Sequence, residues 1–165
     1  MALPVNIRHL EQKAAVLQGE LSVEELELEA VDELIHATLP LKYSMEVQLL
    51  GRSILAQGRL ELVLECDCAR CLKTFPQVLN LPGWVCHLPL EGEEQAVVVN
   101  DCVDLTPYVR EDILLALPQH PLCKPDCSGL PQAPPTKPRQ SSGASLTEAV
   151  PSAWAELNKL KLEKE

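Results

Sequence analysis

Two pairs of cysteines carry the most legible chemistry in this chain: Cys68-Ala69-Arg70-Cys71 and Cys123-Lys124-Pro125-Asp126-Cys127. Each pair sets two thiols about one turn apart, at CxxC and CxxxC spacing, and structural zinc sites commonly take their ligands in such twos. Zinc in a structural site takes four tetrahedral donors. Cys68, Cys71, Cys123 and Cys127 are therefore the candidate ligands of one structural zinc ion. The plainer alternative is four small packed residues beside turns, as unpaired cysteines often are. Residues 72–122 separate the pairs, a longer loop than many zinc ribbons use. Cys66, Cys86 and Cys102 fall in strand-like runs and read as packing residues. His120 stands three residues before Cys123, as a substitute ligand or, more plainly, a loop histidine.

Other chemistry is thin. A thioredoxin-type CxxC opens a helix after a strand in a βαβ unit, whereas this one leaves an antiparallel hairpin. The four histidines are scattered and form no HExxH, and there is no nucleophile elbow or glycine-rich phosphate cradle. Adjacent acids such as Glu93-Glu94 and Glu111-Asp112 read as solvated. No enzyme is expected, and no small-molecule substrate is evident. Arg52, Arg59, Arg70, Lys73 and Arg110 are the bases that could gather at the cysteine turn, and Arg70, Lys73 and Arg110 are the binding candidates among them. Aromatic residues make up only 3% of the chain, so these bases have no stacking platform for nucleic-acid bases.

The elements that must position the cysteines follow from periodicity. Residues 4–22 read as a strand pair around Val5, Ile7, Val16 and Leu21. Ser22 and Glu25 form a capping box at the start of an acidic segment. It holds seven acids and no base from Glu20 to Glu33, either a solvated face on a short helix or a docking surface for a basic partner. Tyr43 to Glu65 is the clearest hairpin, broken at Gly51-Arg52-Ser53. Its second strand sets Ile54, Ala56, Gly58, Leu60, Leu62 and Leu64 on one face and runs straight into Cys66-Asp67-Cys68. Phe75 to Leu90 is extended and interrupted at Pro82-Gly83, and Ala96 to Val99 is a short strand. Leu105, Val109, Ile113, Ala116 and Leu117 then recur at helical spacing, with Asp104 or Thr106 as cap, Pro107 in the first turn and Pro118 as stop. This amphipathic helix is expected to cover the buried face of the sheet.

The chain has 165 residues and is 46% hydrophobic, enough for one domain with a core built mainly of leucine and valine. Its net charge is −10, with 24 acids against 14 bases, which argues against a broad phosphate-binding face. No apolar run is long enough for a membrane span, and no secretory signal is visible at the start. Seven cysteines in that setting suit a reducing, cytoplasmic compartment.

Two stretches resemble the YceD family, the bacterial large ribosomal RNA subunit accumulation proteins. One is Cys68-Ala69-Arg70-Cys71-Leu72 after a long hairpin. The other is Val103-Asp104-Leu105-Thr106-Pro107-Tyr108-Val109-Arg110-Glu111-Asp112-Ile113-Leu114-Leu115-Ala116-Leu117-Pro118, followed by His120-Pro121-Leu122-Cys123, Asp126-Cys127 and Gly129-Leu130. The resemblance covers roughly residues 5–130, and Trp154 to Leu160 is similar to the family's closing helix. Many members carry a further cysteine pair after Gly-Leu; here Pro131-Gln132-Ala133-Pro134-Pro135 follows instead, and a site using that pair cannot exist. The resemblance implies a non-enzymatic role in large-subunit rRNA synthesis, processing or stability.

These readings give three expectations. The fold is α+β, a single domain dominated by antiparallel sheet, with one covering amphipathic helix and a short C-terminal helix. The domain occupies 1–130, a Pro/Ser-rich linker 131–151, and a helical tail 152–165. The partner is a ribosomal protein or large-subunit pre-rRNA. The alternative is a zinc-stabilised adaptor with no ribosomal role.

Overall fold

The computed structural model describes residues 2–29, 31–93 and 95–130. The expected linker at 131–151 and the tail at 152–165 lie outside the described residues. The elements are β1 (Pro4–Asn6), α1 (Ile7–Leu10), β2 (Ala15–Leu21), β3 (Ile35–Ala37), β4 (Leu41–Leu50), β5 (Ser53–Asp67), β6 (Thr74–Pro89), β7 (Val98–Val99), β8 (Cys102–Asp104) and α2 (Thr106–Ala116). Sheet predominates and every pairing is antiparallel, in keeping with the α+β expectation.

β5 is the spine. β6 pairs with it along one side, while β4 and then β3 share the other, and β2 pairs with β4. The period-two reading of β5 holds in three dimensions. Ile54, Ala56, Leu60, Leu62, Leu64 and Cys66 are all buried, and each large side chain removed from water in this way stabilises the fold by about 1.5–3 kcal/mol. The β4–β5 loop has two residues, and Gly51 takes φ +63° there, as its first position requires. Gly58 answers a different need. A Cβ at this position would meet the Ser44 carbonyl oxygen and lie 2.5 Å from Met45 Cα, so any side chain would push β4 away.

Pro82-Gly83 does not interrupt the next strand. Gly58 pairs with Trp84 and Leu60 with Leu81, so Pro82 and Gly83 together face Arg59 in a β-bulge, and β6 continues for 16 residues. A bulge is where a residue without an N–H costs a strand least.

The strand pair expected over residues 4–22 is two strands in different sheets. β1 pairs with β8, and β2 with β4. Asn6 explains the parting: its Oδ1 accepts from the N–H of Arg8 and His9, starting the turn of α1 where Ile7 was read as strand. β7 and β8 form a hairpin through Asn100 and Asp101, both at positive φ (52° and 59°). These two strands and β1 make a small second sheet.

α2 begins at Thr106 with Pro107 in its first turn, but its N-cap is Leu105, which carries no side-chain cap bond, rather than Asp104 or Thr106 as expected. Asp104 Oδ1 accepts from the Thr106 N–H at 3.0 Å, and Thr106 Oγ1 in turn accepts from the Leu3 N–H at 3.0 Å. Leu105, Val109 and Ile113 are fully buried in the same core as β4 and β5. The Trp84 indole N–H donates to Asp112 at 2.6 Å, joining α2 to β6. Among the described residues no helix is long and apolar enough to cross a membrane.

Candidate metal centre

The cysteine turn is the connection between β5 and β6. Asp67 and Thr74 are the last paired residues, and Thr74 Oγ1 donates to Asp67 Oδ1 at 2.6 Å across the base. Within the turn the Cys68 N–H donates to the Lys73 carbonyl and the Leu72 N–H to the Cys68 carbonyl, each at 2.9 Å. Leu72 takes φ +58° to close it, a left-handed conformation that costs a leucine on the order of 1 kcal/mol or more. The outcome is a tight loop that brings Cys71 back beside Cys68.

The second pair arrives after α2. Leu117 is extended, ending the helix before Pro118, and residues 119–130 have no regular secondary structure. Pro121 is the only fully buried residue of that stretch. Its carbonyl accepts from the Ala69 N–H at 2.9 Å, and the Arg70 guanidinium donates to the Cys127 carbonyl at 3.0 Å. Both fastenings run to the first cysteine turn.

The four sulfurs meet. Cys68 Sγ lies 3.8 Å from Cys127 Sγ, Cys71 Sγ lies 3.6 Å from Cys123 Sγ, and all four are within 4.8 Å of one another. These are separations between free thiols, since a disulfide would hold its sulfurs about 2 Å apart. A tetrahedral zinc with sulfurs at about 2.3 Å would space them about 3.8 Å apart, so the donor set and its geometry fit a single ion. Cys68 is buried and the other three are half-buried.

Cys68 and Cys123 differ in acidity because the first sits against backbone donors and the second against the other thiols. Cys68 is drawn down to about 6, chiefly by the backbone N–H of Cys123 and then by those of Arg70 and Cys71, against the opposing effect of burial. Cys123 is pushed up to about 12, first by the Cys71 thiol, then by burial and by Cys68 and Cys127. Negative charge on one sulfur is thus supported while a neighbour keeps its proton. A divalent cation at the centre would let all four ionise.

The remaining cysteines stay out of the cluster. Cys66 lies in β5, and burial raises its thiol; Cys86 in β6 is pushed up to about 11, mainly by burial and then by Asp112 and Glu111. Cys102 in β8 accepts from Asn6 Nδ2 at 3.6 Å. His120 is exposed and supplies no atom to the cluster.

The candidate bases have separate surroundings. Arg70 and Lys73 are exposed on the cysteine turn. Arg110, on α2, donates through Nε to the Leu26 carbonyl at 2.9 Å, and its guanidinium lies 3.8 Å from Glu27. Arg52 pairs with Glu91 and Arg59 with Glu61.

Arg110 therefore belongs with the acidic segment, which is a set of turns rather than a helix. The capping box forms: the Glu25 N–H donates to Ser22 Oγ at 3.2 Å and the Ser22 N–H to Glu25 Oε2 at 3.0 Å. Glu27 then takes φ +49° and ends the helical path. Leu26 and Leu28 are buried in the core, while all seven acids from Glu20 to Glu33 are exposed. Alternation of buried leucine with exposed glutamate was readable in Leu26-Glu27-Leu28-Glu29 and is what fixes this surface to the domain.

Residues 56–161 match the sequence model described as large ribosomal RNA subunit accumulation protein YceD. The chain is also 29% identical over 141 residues to uncharacterized proteins of Mycobacterium bovis and Mycobacterium tuberculosis, a span of 80% of this chain and 65% of those relatives. It therefore spans about two-thirds of the length of the curated relatives it matches. No solved structure gives a significant match.

Proposed function

The chain belongs to the YceD family of large ribosomal RNA subunit accumulation proteins, and on that footing we propose that it is a non-enzymatic, cytoplasmic ribosome-biogenesis factor that supports large-subunit rRNA by binding a basic ribosomal protein. Family membership carries the ribosomal part of this reading. The choice of a protein over pre-rRNA rests on charge. The net charge of −10 repels a phosphate backbone, while the segment from Glu20 to Glu33 presents seven exposed acids on a base of buried leucines. Such a surface attracts a lysine- and arginine-rich partner and steers its approach. One structural zinc ion held by Cys68, Cys71, Cys123 and Cys127 completes the reading, supported by the spacing of the sulfurs. Zinc here would hold the end of the domain together and leave no open coordination position for catalysis.

The test is a pull-down from bacterial lysate, with and without nuclease, using the native chain and a variant carrying Glu24→Lys and Glu29→Lys. Ribosomal proteins should remain bound after nuclease, and the variant should lose them. Loss of all ribosomal material on nuclease treatment would move the contact to pre-rRNA, where Arg70 and Lys73 are the exposed bases on the cysteine turn. No ribosomal material under either condition would leave only the zinc-stabilised adaptor.

A further inference from the structure

Two short sulfur contacts cross between the halves of the cluster. Cys71 faces Cys123 at 3.6 Å and Cys68 faces Cys127 at 3.8 Å. Besides the sulfurs, residues 119–130 are held by buried Pro121, by hydrogen bonds to Ala69 and Arg70, and by the Cys123 N–H at the Cys68 sulfur. Whatever joins the sulfurs decides whether this segment stays on the domain. Three of the cysteines are partly open to solvent, and the fourth, Cys68, is buried.

We infer that the cluster is a thiol-oxidation site in which peroxide replaces metal-held closure by covalent closure, pairing Cys71 with Cys123 first and Cys68 with Cys127 second. The inference rests on the metal reading above only for the ion that is displaced; the pairing rests on the sulfur geometry. The chemistry balances with hydrogen peroxide as oxidant. A thiolate sulfur attacks one peroxide oxygen, the O–O bond breaks, and the departing hydroxide takes a proton to leave as water. The resulting sulfenic acid is attacked by the facing thiolate, an S–S bond forms, and the second oxygen leaves as water after taking a proton. Two thiolates give up two electrons for each peroxide reduced, and two peroxides convert all four and release the ion. The order follows from access, because both members of the Cys71–Cys123 pair are reachable, whereas the other pair includes buried Cys68. Both bonds cross from the β5–β6 turn to residues 119–130, so oxidation keeps that segment fastened as the ion leaves.

The full chain, loaded with zinc, is treated with hydrogen peroxide in native buffer. Free thiols are then alkylated, disulfides are mapped by mass spectrometry, and released zinc is read with a chromogenic chelator. Two thiols should disappear into Cys71–Cys123 and then two more into Cys68–Cys127. Zinc should appear in step, while residues 119–130 stay as resistant to protease as before treatment. A double variant, Cys68→Ser with Cys127→Ser, should still form the Cys71–Cys123 bond. Disulfides within the pairs, Cys68–Cys71 and Cys123–Cys127, would overturn the inference, as would sulfinic acids without disulfides or bonds to Cys66, Cys86 or Cys102. If the chain binds no zinc, the metal reading fails by itself, and the same map on the metal-free protein still decides the pairing.

Discussion

Leu60, Leu62 and Leu64 of β5 and Cys68, four residues further on, are all buried to within 1%, yet different forces keep them there. The leucines sit in a core shared by both sheets and α2, and each contributes a part of a sum spread over many contacts. Cys68 opens the turn after β5, beside a segment with little apolar anchorage, where the four sulfurs and a few hydrogen bonds do the fastening. Distributed apolar burial fails by degrees. A closure concentrated in four atoms fails all at once, and leaves the sheet behind.

The largest effect should come from Cys71→Ser. A closed four-thiolate zinc site contributes roughly 10 kcal/mol or more at neutral pH, and three cysteines with one serine retain little of it. Hydrogen exchange should rise throughout residues 68–73 and 119–130 while β4, β5 and β6 keep their protection. Equal protection in both regions of a metal-free variant would break the comparison.

A smaller, global effect is expected from Leu62→Ala. The side chain is 1% exposed, and its truncation should cost about 2–5 kcal/mol through lost burial and the cavity left behind. Denaturant unfolding would register that loss, with metal content per folded chain unchanged. Metal loss from folded protein would mean that sheet and clip are one cooperative unit.

The smallest change sharpens the comparison from the clip side. Leu72 is 64% exposed and sits at φ +58°, so it has little burial to lose and some strain to relieve. Leu72→Gly should stabilise the turn by about 1 kcal/mol, seen as several-fold slower metal removal by a chelator. Unchanged or faster removal would show that the leucine is held by contacts that outweigh its strain.

Much of the sheet was legible because its signal is periodic. Alternating leucines in β5 and the spacing of Leu105, Val109 and Ile113 in α2 state which faces are inward before any partner is known. Pairing between distant strands carries no such local mark, and β1 was joined to the wrong neighbour for that reason. The β7–β8 hairpin did leave a trace in Asn100-Asp101, two residues that accept positive φ, but its strands are too short for alternation to register. At the cysteines, residue types and spacing picked out the four thiols that the fold brings together, while Arg70's hydrogen bond to the Cys127 carbonyl and the left-handed Leu72 had no sequence signature. Lysine or arginine in a turn reads as a free charge until the chain that meets it is seen.

The bulge in β6 has a consequence for the life of the chain before it is fully folded. β6 has β5 on one side and, among the described residues, no strand on the other. A bare edge of 16 residues, with Val78 and Val85 exposed, would be a template for strands of other chains. Pro76, Pro82 and Pro89 each leave the strand one backbone donor short, and the extra residue at Pro82-Gly83 twists the strand out of flat register. The same residues that look like a break in the sequence thus act as a guard against aggregation, on the strand that carries Thr74 away from the cysteine turn.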